Sequence, residues 1–168
     1  WWRIWNADLA CKNKKNHNVV NIHDIEQQEI LRSQEIIKSK ILDSGDVESY
    51  NQVYQNYLKK GKTNEMLIYS LIMANEFKNE KATFDVFEIL YLTGHYKNKD
   101  CYDYNLDCLD EDTKELAIHY LKLAINRGSY GASSVLLTFY DENKYYPIKE
   151  LYNDTVLIKK AKKNIIVK

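Results

Sequence analysis

The sequence predicts an all-α fold, and three observations carry that expectation. Apolar residues recur at spacings of three and four over long stretches, where a strand would need strict alternation. Capping residues and glycines stand where those stretches begin and end. Small residues fall at even intervals in "ELAIHYLKLAINRGSYGASSVLLTFY", at Ala117, Ala124, Gly128 and Ala132, which lets neighbouring helices approach closely. About seven helices are expected and no strand.

The first helix is expected from Ile22 to Leu42, with Ile22, Ile25, Ile30, Leu31, Ile36, Ile37 and Ile41 at mostly helical spacing and a stop at Ser44-Gly45. Asp46 is a suitable N-cap for a helix to Lys60, with Val53, Tyr54, Tyr57 and Leu58 on its apolar side and Gly61 closing it. Thr63 to about Lys78 holds the next, through Met66, Leu67, Leu71, Ile72 and Phe77. Phe84, Phe87, Leu90 and Tyr91 carry another that stops at Gly94. Helix resumes near Asp112-Thr113, turns on Gly128, and continues from Ser129 to about Tyr140. A last one begins with Pro147 at a first-turn position.

With 168 residues, one domain is expected over 1–168. Its parts are an N-terminal segment and capping helix at 1–45, about three degenerate repeats at 46–163, and an inserted acidic loop at 95–111. Lys+Arg and Asp+Glu balance at 24 each, so no overall positive field favours nucleic acid as a partner. No apolar run approaches the roughly eighteen residues that a transmembrane helix needs. The opening Trp1, in place of methionine, fits a removed signal peptide or a lipid anchor upstream. The expected location is then periplasmic, or membrane-anchored facing the periplasm, with the cytoplasm as the alternative. Trp1, Trp2 and Trp5 read as a cap on the open end of a helical stack, or as a membrane-interface belt.

The stretch "HYKNKDCYDYNLDCLDED" is too polar for a helix interior and long for a connection. Asp100, Tyr102, Asp103, Tyr104, Asp107, Asp110 and Glu111 place tyrosines among acids, a composition suited to a protein interface. The competing reading is a solvated loop whose last acids cap the next helix. Cys101 and Cys108 are near enough to form a disulfide in an oxidising compartment. His95 with both cysteines offers three soft ligands but no tight zinc spacing, and no metal is expected. Asp103, Asn105 and Asp107 resemble the start of a calcium loop, yet Cys108 replaces its glycine and Lys114 its glutamate. Cys11, His23, His119 and Ser133 form no recognisable nucleophile setting, so neither enzyme activity nor a cofactor is expected. Lys159, Lys160, Lys162 and Lys163 read as a helix end favoured by its dipole, or as a contact for acidic partners or lipid headgroups.

Gly61 and Gly94 lie 33 residues apart, with Tyr54 and Leu58 before one and Phe87 and Tyr91 before the other, a period typical of paired helices. Ala117, Tyr120, Lys122, Ala124, Gly128, Ala132 and Leu136, ending on Tyr140, resemble the Sel-one-like repeat family, relatives of tetratricopeptide repeats. In the preceding unit Asn79 stands at the family's turn glycine and Thr83 at its alanine. Leu137 replaces a further glycine. The resemblance covers about 46–161. It implies a right-handed α-solenoid that binds a protein partner and carries no conserved chemistry, most concretely a bacterial immunity protein that neutralises a secreted toxin by occlusion. An adaptor or assembly factor in envelope or signalling complexes is the alternative. Hydrolase activity, found in a cysteine-rich branch of similar repeats, is less favoured because regular disulfides are missing here.

Overall fold

The computed structural model describes residues 22–97, 106–141, 151 and 153–166; the side chains of 22–26, 95–97 and 139–141 also lie outside the description. Among the described residues there are seven α-helices and no strand. They are α1 (Ile22–Ser44), α2 (Val47–Lys59), α3 (Leu67–Asn75), α4 (Glu80–Lys97), α5 (Glu111–Asn126), α6 (Tyr130–Asp141) and α7 (Thr155–Ile166). Short 3-10 turns, Thr63–Met66 and Leu106–Cys108, precede α3 and α5. The chain divides into two compact units, Trp1–Ile36 and Ile37–Lys168. That boundary falls inside α1, ahead of the division expected after residue 45.

Three tight turns in the second unit are built alike. Gly45, Lys78 and Gly128 take positive φ at 64°, 55° and 95°, and each is followed by a residue that caps the next helix. The Asp46 carboxylate accepts from the Ser49 N–H at 2.9 Å, Asn79 Oδ1 from Ala82 at 2.8 Å, and Ser129 Oγ from Ala132 at 3.3 Å. The carbonyls of the same three caps accept from Tyr50, Thr83 and Ser133. Each cap thus satisfies donors that a helix N-terminus leaves without partners. The helices α3 with α4 and α5 with α6 therefore pair as hairpins, and the turn from α1 into α2 is built in the same phase.

Equivalent positions around the three turns carry equivalent packing. Ile41, Ala74 and Ala124, four residues before the turn, are fully buried. Ser49, Ala82 and Ala132, four after it, are buried as well. Small side chains there let the two arms of a hairpin diverge from close contact, while Val53, Val86 and Leu136 one turn further on fill the widening gap. Ala117, Tyr120 and Leu136 are buried too, so the evenly spaced residues of the sequence face the interior together.

The phase corrects the sequence reading by one residue. Lys78, not Asn79, occupies the position of the turn glycine, and Asn79 is the cap. Lys78 accepts a backbone conformation costly to a side chain, and its Nζ donates to the Asn75 carbonyl. Gly94 does not end a helix either, since α4 runs through it to Lys97. It is buried, and a Cβ there would lie 2.0 Å from Leu109 Cδ2. Its role is to admit the chain that returns toward α5, so Gly61 and Gly94 share an offset but not a function. Gly61 closes α2, with Gly61 N–H bonded to Leu58 O and Lys62 N–H to Tyr57 O.

Two core clusters fill the second unit. One joins α3 to α7 through Phe87, Leu90, Leu121, Ile125, Leu136 and Leu157; the other gathers Ile41, Tyr50, Val53, Tyr54, Met66 and Met73. Leu58, expected on the apolar side of α2, is exposed, and Ser49 and Tyr50 occupy the inward face with Val53 and Tyr54. Among the described side chains of the expected α1 stripe, Ile41 is buried and Ile37 half-buried, while Ile30, Leu31 and Ile36 are exposed. Leu137 is half-buried against the larger core. Pro147, expected to open the last helix, lies outside the described residues; α7 starts at Thr155, capped by Asp154 Oδ1 accepting from Leu157 N–H at 2.9 Å.

Four substitutions test the hairpin geometry. Ala132→Leu overfills the α5–α6 hairpin and lowers stability in urea by about 1–3 kcal/mol, whereas Leu116→Ala on the exposed side of α5 stays within about 0.5 kcal/mol. At the turns the signs oppose: Gly128→Ala destabilises and Lys78→Gly stabilises, each by about 1 kcal/mol, and equal signs would refute the equivalence of the two positions.

Candidate interaction surfaces

The positions of the interior polar groups decide which side chains remain for a partner. Tyr50, Thr83 and Ser133 stand at the same place, four residues past their caps, and all three are fully buried. Each uses its hydroxyl to reach the unit that follows. Tyr50 Oη donates to Asp85 Oδ2 at 2.7 Å and bonds Ser70 Oγ at 2.8 Å. Thr83 Oγ1 accepts from the Arg127 guanidinium, which also donates to the Ala74 carbonyl at 2.9 Å. Ser133 Oγ accepts from Asn164 Nδ2 at 3.0 Å, and the same amide donates to the Ile125 carbonyl at 2.9 Å. Asn75 Nδ2 adds a bond to Tyr120 Oη at 2.8 Å between α3 and α5.

The first of these junctions is charged. Asp85 is buried on α4, and Lys81 one turn earlier places Nζ 2.7 Å from its Oδ2. The same ammonium lies 4.2 Å from the Tyr54 ring centroid and 5.4 Å from that of Tyr50, within cation–π range. Tyr54 Oη sits 3.5 Å from Glu88 Oε2. Burial pushes the Asp85 carboxyl above its ordinary value of 3.8, against the pull of Lys81 and the Tyr50 hydrogen bond. Burial and the neighbouring Asp85 charge push Glu88 above 4.5. Burial and the Asp85 charge raise the phenols of Tyr50 and Tyr54 as well. Sequence reasoning missed this cluster, although Asp85 within the apolar run "ATFDVFEIL", with Lys81 four residues earlier, is a legible signal for it.

The acidic loop is described only at its end. Asp100, Cys101, Tyr102, Asp103 and Tyr104 lie outside the described residues. Leu106 is buried in the larger core, so this end of the insertion is packed rather than solvated. Asp107 Oδ1 pairs with Lys114 Nζ at 2.5 Å. The Asp110 carboxylate caps α5, accepting from Thr113 N–H at 3.0 Å and Thr113 Oγ1 at 2.8 Å. Glu111 is exposed in the first turn, where its charge complements the dipole. Of the seven loop residues proposed for binding, Asp107 and Asp110 therefore have structural partners. Lys114, at the site of a calcium loop's glutamate, neutralises Asp107 instead of leaving it to a cation.

Cys108 is disulfide-bonded, which removes its thiolate as a zinc ligand; Cys11 and Cys101 lie outside the described residues. The Ser133 hydroxyl donates to the Ser129 carbonyl at 2.6 Å while accepting from Asn164, so it has no solvent access. His119 is exposed and meets Tyr120 edge-on at 5.3 Å. The side chain of His23, like Cys11, is outside the description. Among the described residues no helix is long and apolar enough to cross a membrane.

The lysines of the last helix are exposed at 159, 160, 162 and 163, and only Lys163 is in its last turn. The dipole, felt within that turn, accounts for one of the four. Large apolar residues are exposed at Ile68 on α3, Leu116 on α5, and Val156 and Ile166 on α7. Comparison with protein-family models, with curated proteins and with solved structures finds no match to this chain.

The raised carboxyls fix a sign for pH. Where the folded pKa exceeds the unfolded one, the folded state binds more protons, and stability falls as pH rises through the interval between them. Relative to the D85N/E88Q variant, the wild-type chain loses stability as pH is raised from the ordinary carboxylate values of 3.8 and 4.5 upward; parallel urea-midpoint profiles for the two proteins would contradict it. Tyr50→Phe leaves Asp85 and Ser70 each short of a bond and costs about 1–3 kcal/mol at neutral pH.

Proposed function

We propose that this chain is a non-enzymatic scaffold that binds another protein on the outer faces of its helix pairs. The observation that carries the reading is the use of the interior polar groups. The hydroxyls, the Arg127 guanidinium and the Asn164 amide are all engaged between successive helix pairs, and this fixes the layers in one register. A body braced in that way presents its exposed side chains in fixed positions, which lowers the ordering cost of association. Large apolar side chains exposed on α3, α5 and α7 provide contact area.

A right-handed solenoid of Sel-one-like repeats, and within it an immunity protein that blocks a secreted toxin by occlusion, is the specific form of this proposal. Its support is the match of Ala117, Tyr120, Ala124, Gly128, Ala132 and Leu136 to the repeat pattern, together with the in-phase turns. The acidic, tyrosine-bearing stretch 100–111 belongs to the proposed contact surface. Tagged chain expressed in its source cells should retain one protein in about equimolar amount, and added purified chain should inhibit that protein's toxicity stoichiometrically. Replacing Asp103 and Tyr104 together (D103N/Y104A) should weaken the complex at least tenfold. Capture of no protein under native conditions removes the scaffold reading, and undiminished binding of the double variant removes the loop from the interface.

A further inference from the structure

Helix α7 is held from within and charged on its outer side. Leu157, Ile158 and Ala161 are buried in the larger core, Asn164 is bonded to Ile125 and Ser133, and Lys160 Nζ donates to Asn126 Oδ1 at 3.1 Å. The opposite stripe reads Val156, Lys159, Lys160, Lys163, Ile166, residues three and four apart that share one helical face. Val156 is 76% exposed and Ile166 82%, the highest values among the large apolar side chains described. No acid occurs between Thr155 and Ile166. Elsewhere in the described chain three lysines form ion pairs, Lys62–Glu65, Lys81–Asp85 and Lys114–Asp107. On α7, Lys159, Lys160 and Lys163 border an open hollow of about 700 Å³ whose described lining contains no carboxylate.

We propose that this face binds an acidic linear segment of the protein partner, apolar at both ends. The inference rests on the partner-binding reading above and names the chemistry the partner must supply. From Val156 to Ile166 the stripe is about 15 Å long at about 1.5 Å per residue, the span of about five residues of extended chain. Carboxylates in the middle of such a segment meet the lysines, and apolar residues at its ends cover Val156 and Ile166. Charge alone would also attract an anionic bilayer. An interfacial helix, however, needs a broad apolar face to insert, and that face of α7 is committed to the core, leaving two outward apolar side chains.

The test uses the whole chain and a fluorescein-labelled peptide, Leu-Glu-Asp-Glu-Leu, read by fluorescence anisotropy at low and at physiological salt. Saturable binding that weakens with salt is expected, with at least a tenfold loss for K159E/K163E and a several-fold loss for V156S/I166S. All four positions are exposed, and unchanged thermal melts confirm folding; K159Q/K163Q serves if the charge reversals disturb it. Absence of saturable binding, equal affinity of K159E/K163E, or preferential sedimentation with phosphatidylserine vesicles overturns the proposal. Should a partner captured by the wild-type chain remain fully bound to K159E/K163E, the α7 site fails while the scaffold reading stands.

Discussion

A buried hydroxyl bonded across to the next helix pair is the constraint on which this architecture turns. Tyr50, Thr83 and Ser133 occupy one structural position, and none of them can reach water. Thr83 and Ser133 also donate to the Asn79 and Ser129 carbonyls of their own helices, so a slip of one helix pair against the next would strand Arg127, Asn164 and the Tyr50–Asp85 bond, and a buried polar group without a hydrogen bond costs on the order of 1–3 kcal/mol. Apolar packing alone is less exacting, since cores tolerate hydrophobic rearrangement provided that volume is kept. The small residues at Ala74, Ala82, Ala124 and Ala132 let the helices approach, and the hydroxyls decide in which register they do so.

The three junctions solve this problem with side chains of different reach. Ser133 is short, and Asn164 comes to it from α7. Thr83 is met by the long Arg127, which anchors itself on the Ala74 carbonyl at the same time. At the first junction Tyr50 itself spans the distance, and its phenol ends beside Ser70 and Asp85. That choice brings a carboxylate into the interior, and the carboxylate in turn requires Lys81, whose ammonium rests on the faces of Tyr50 and Tyr54. Charge at this junction is therefore a consequence of the tyrosine's length. A buried pair of this kind contributes more to register than to net stability, because its desolvation offsets much of its attraction.

Much of the fold was legible because capping chemistry is local. Asp46, Gly45, Gly61, Gly128 and Ser129 announce helix ends by residue type, and the structure uses them as such. What was not legible follows from residues with two possible uses. Glycine serves both to stop a helix and to admit a close neighbour, and at Gly94 only the position of Leu109 distinguishes them. Lysine in a positive-φ turn has no signature, so Lys78 passed for the end of a helix. The hydroxyl positions are Tyr, Thr and Ser, whose chemical likeness is hidden by their difference in size. For the acidic loop, an aspartate that caps a helix and one that meets a partner look identical in sequence; Asp107 and Asp110 are explained by Lys114 and Thr113.

Charge is zero over the whole chain and uneven along it. Acids crowd the stretch 100–112, and lysines crowd 159–163. Exposed charges at such a face chiefly raise the rate of encounter and select the partner's sign, and their contribution to affinity is screened by salt. Slow dissociation must then come from desolvated apolar contact. Val156 and Ile166, placed one at either end of the lysines and both largely in solvent, are the side chains on this face that can supply it. A face with lysines only would bind any polyanion loosely, while one bounded by apolar side chains at a fixed separation discriminates by length as well as by charge. The helix itself holds that separation constant, and the hydrogen bonds of Asn164 and Lys160 to the end of α5 hold the helix in place, so bonds that set the register of the interior also position the surface.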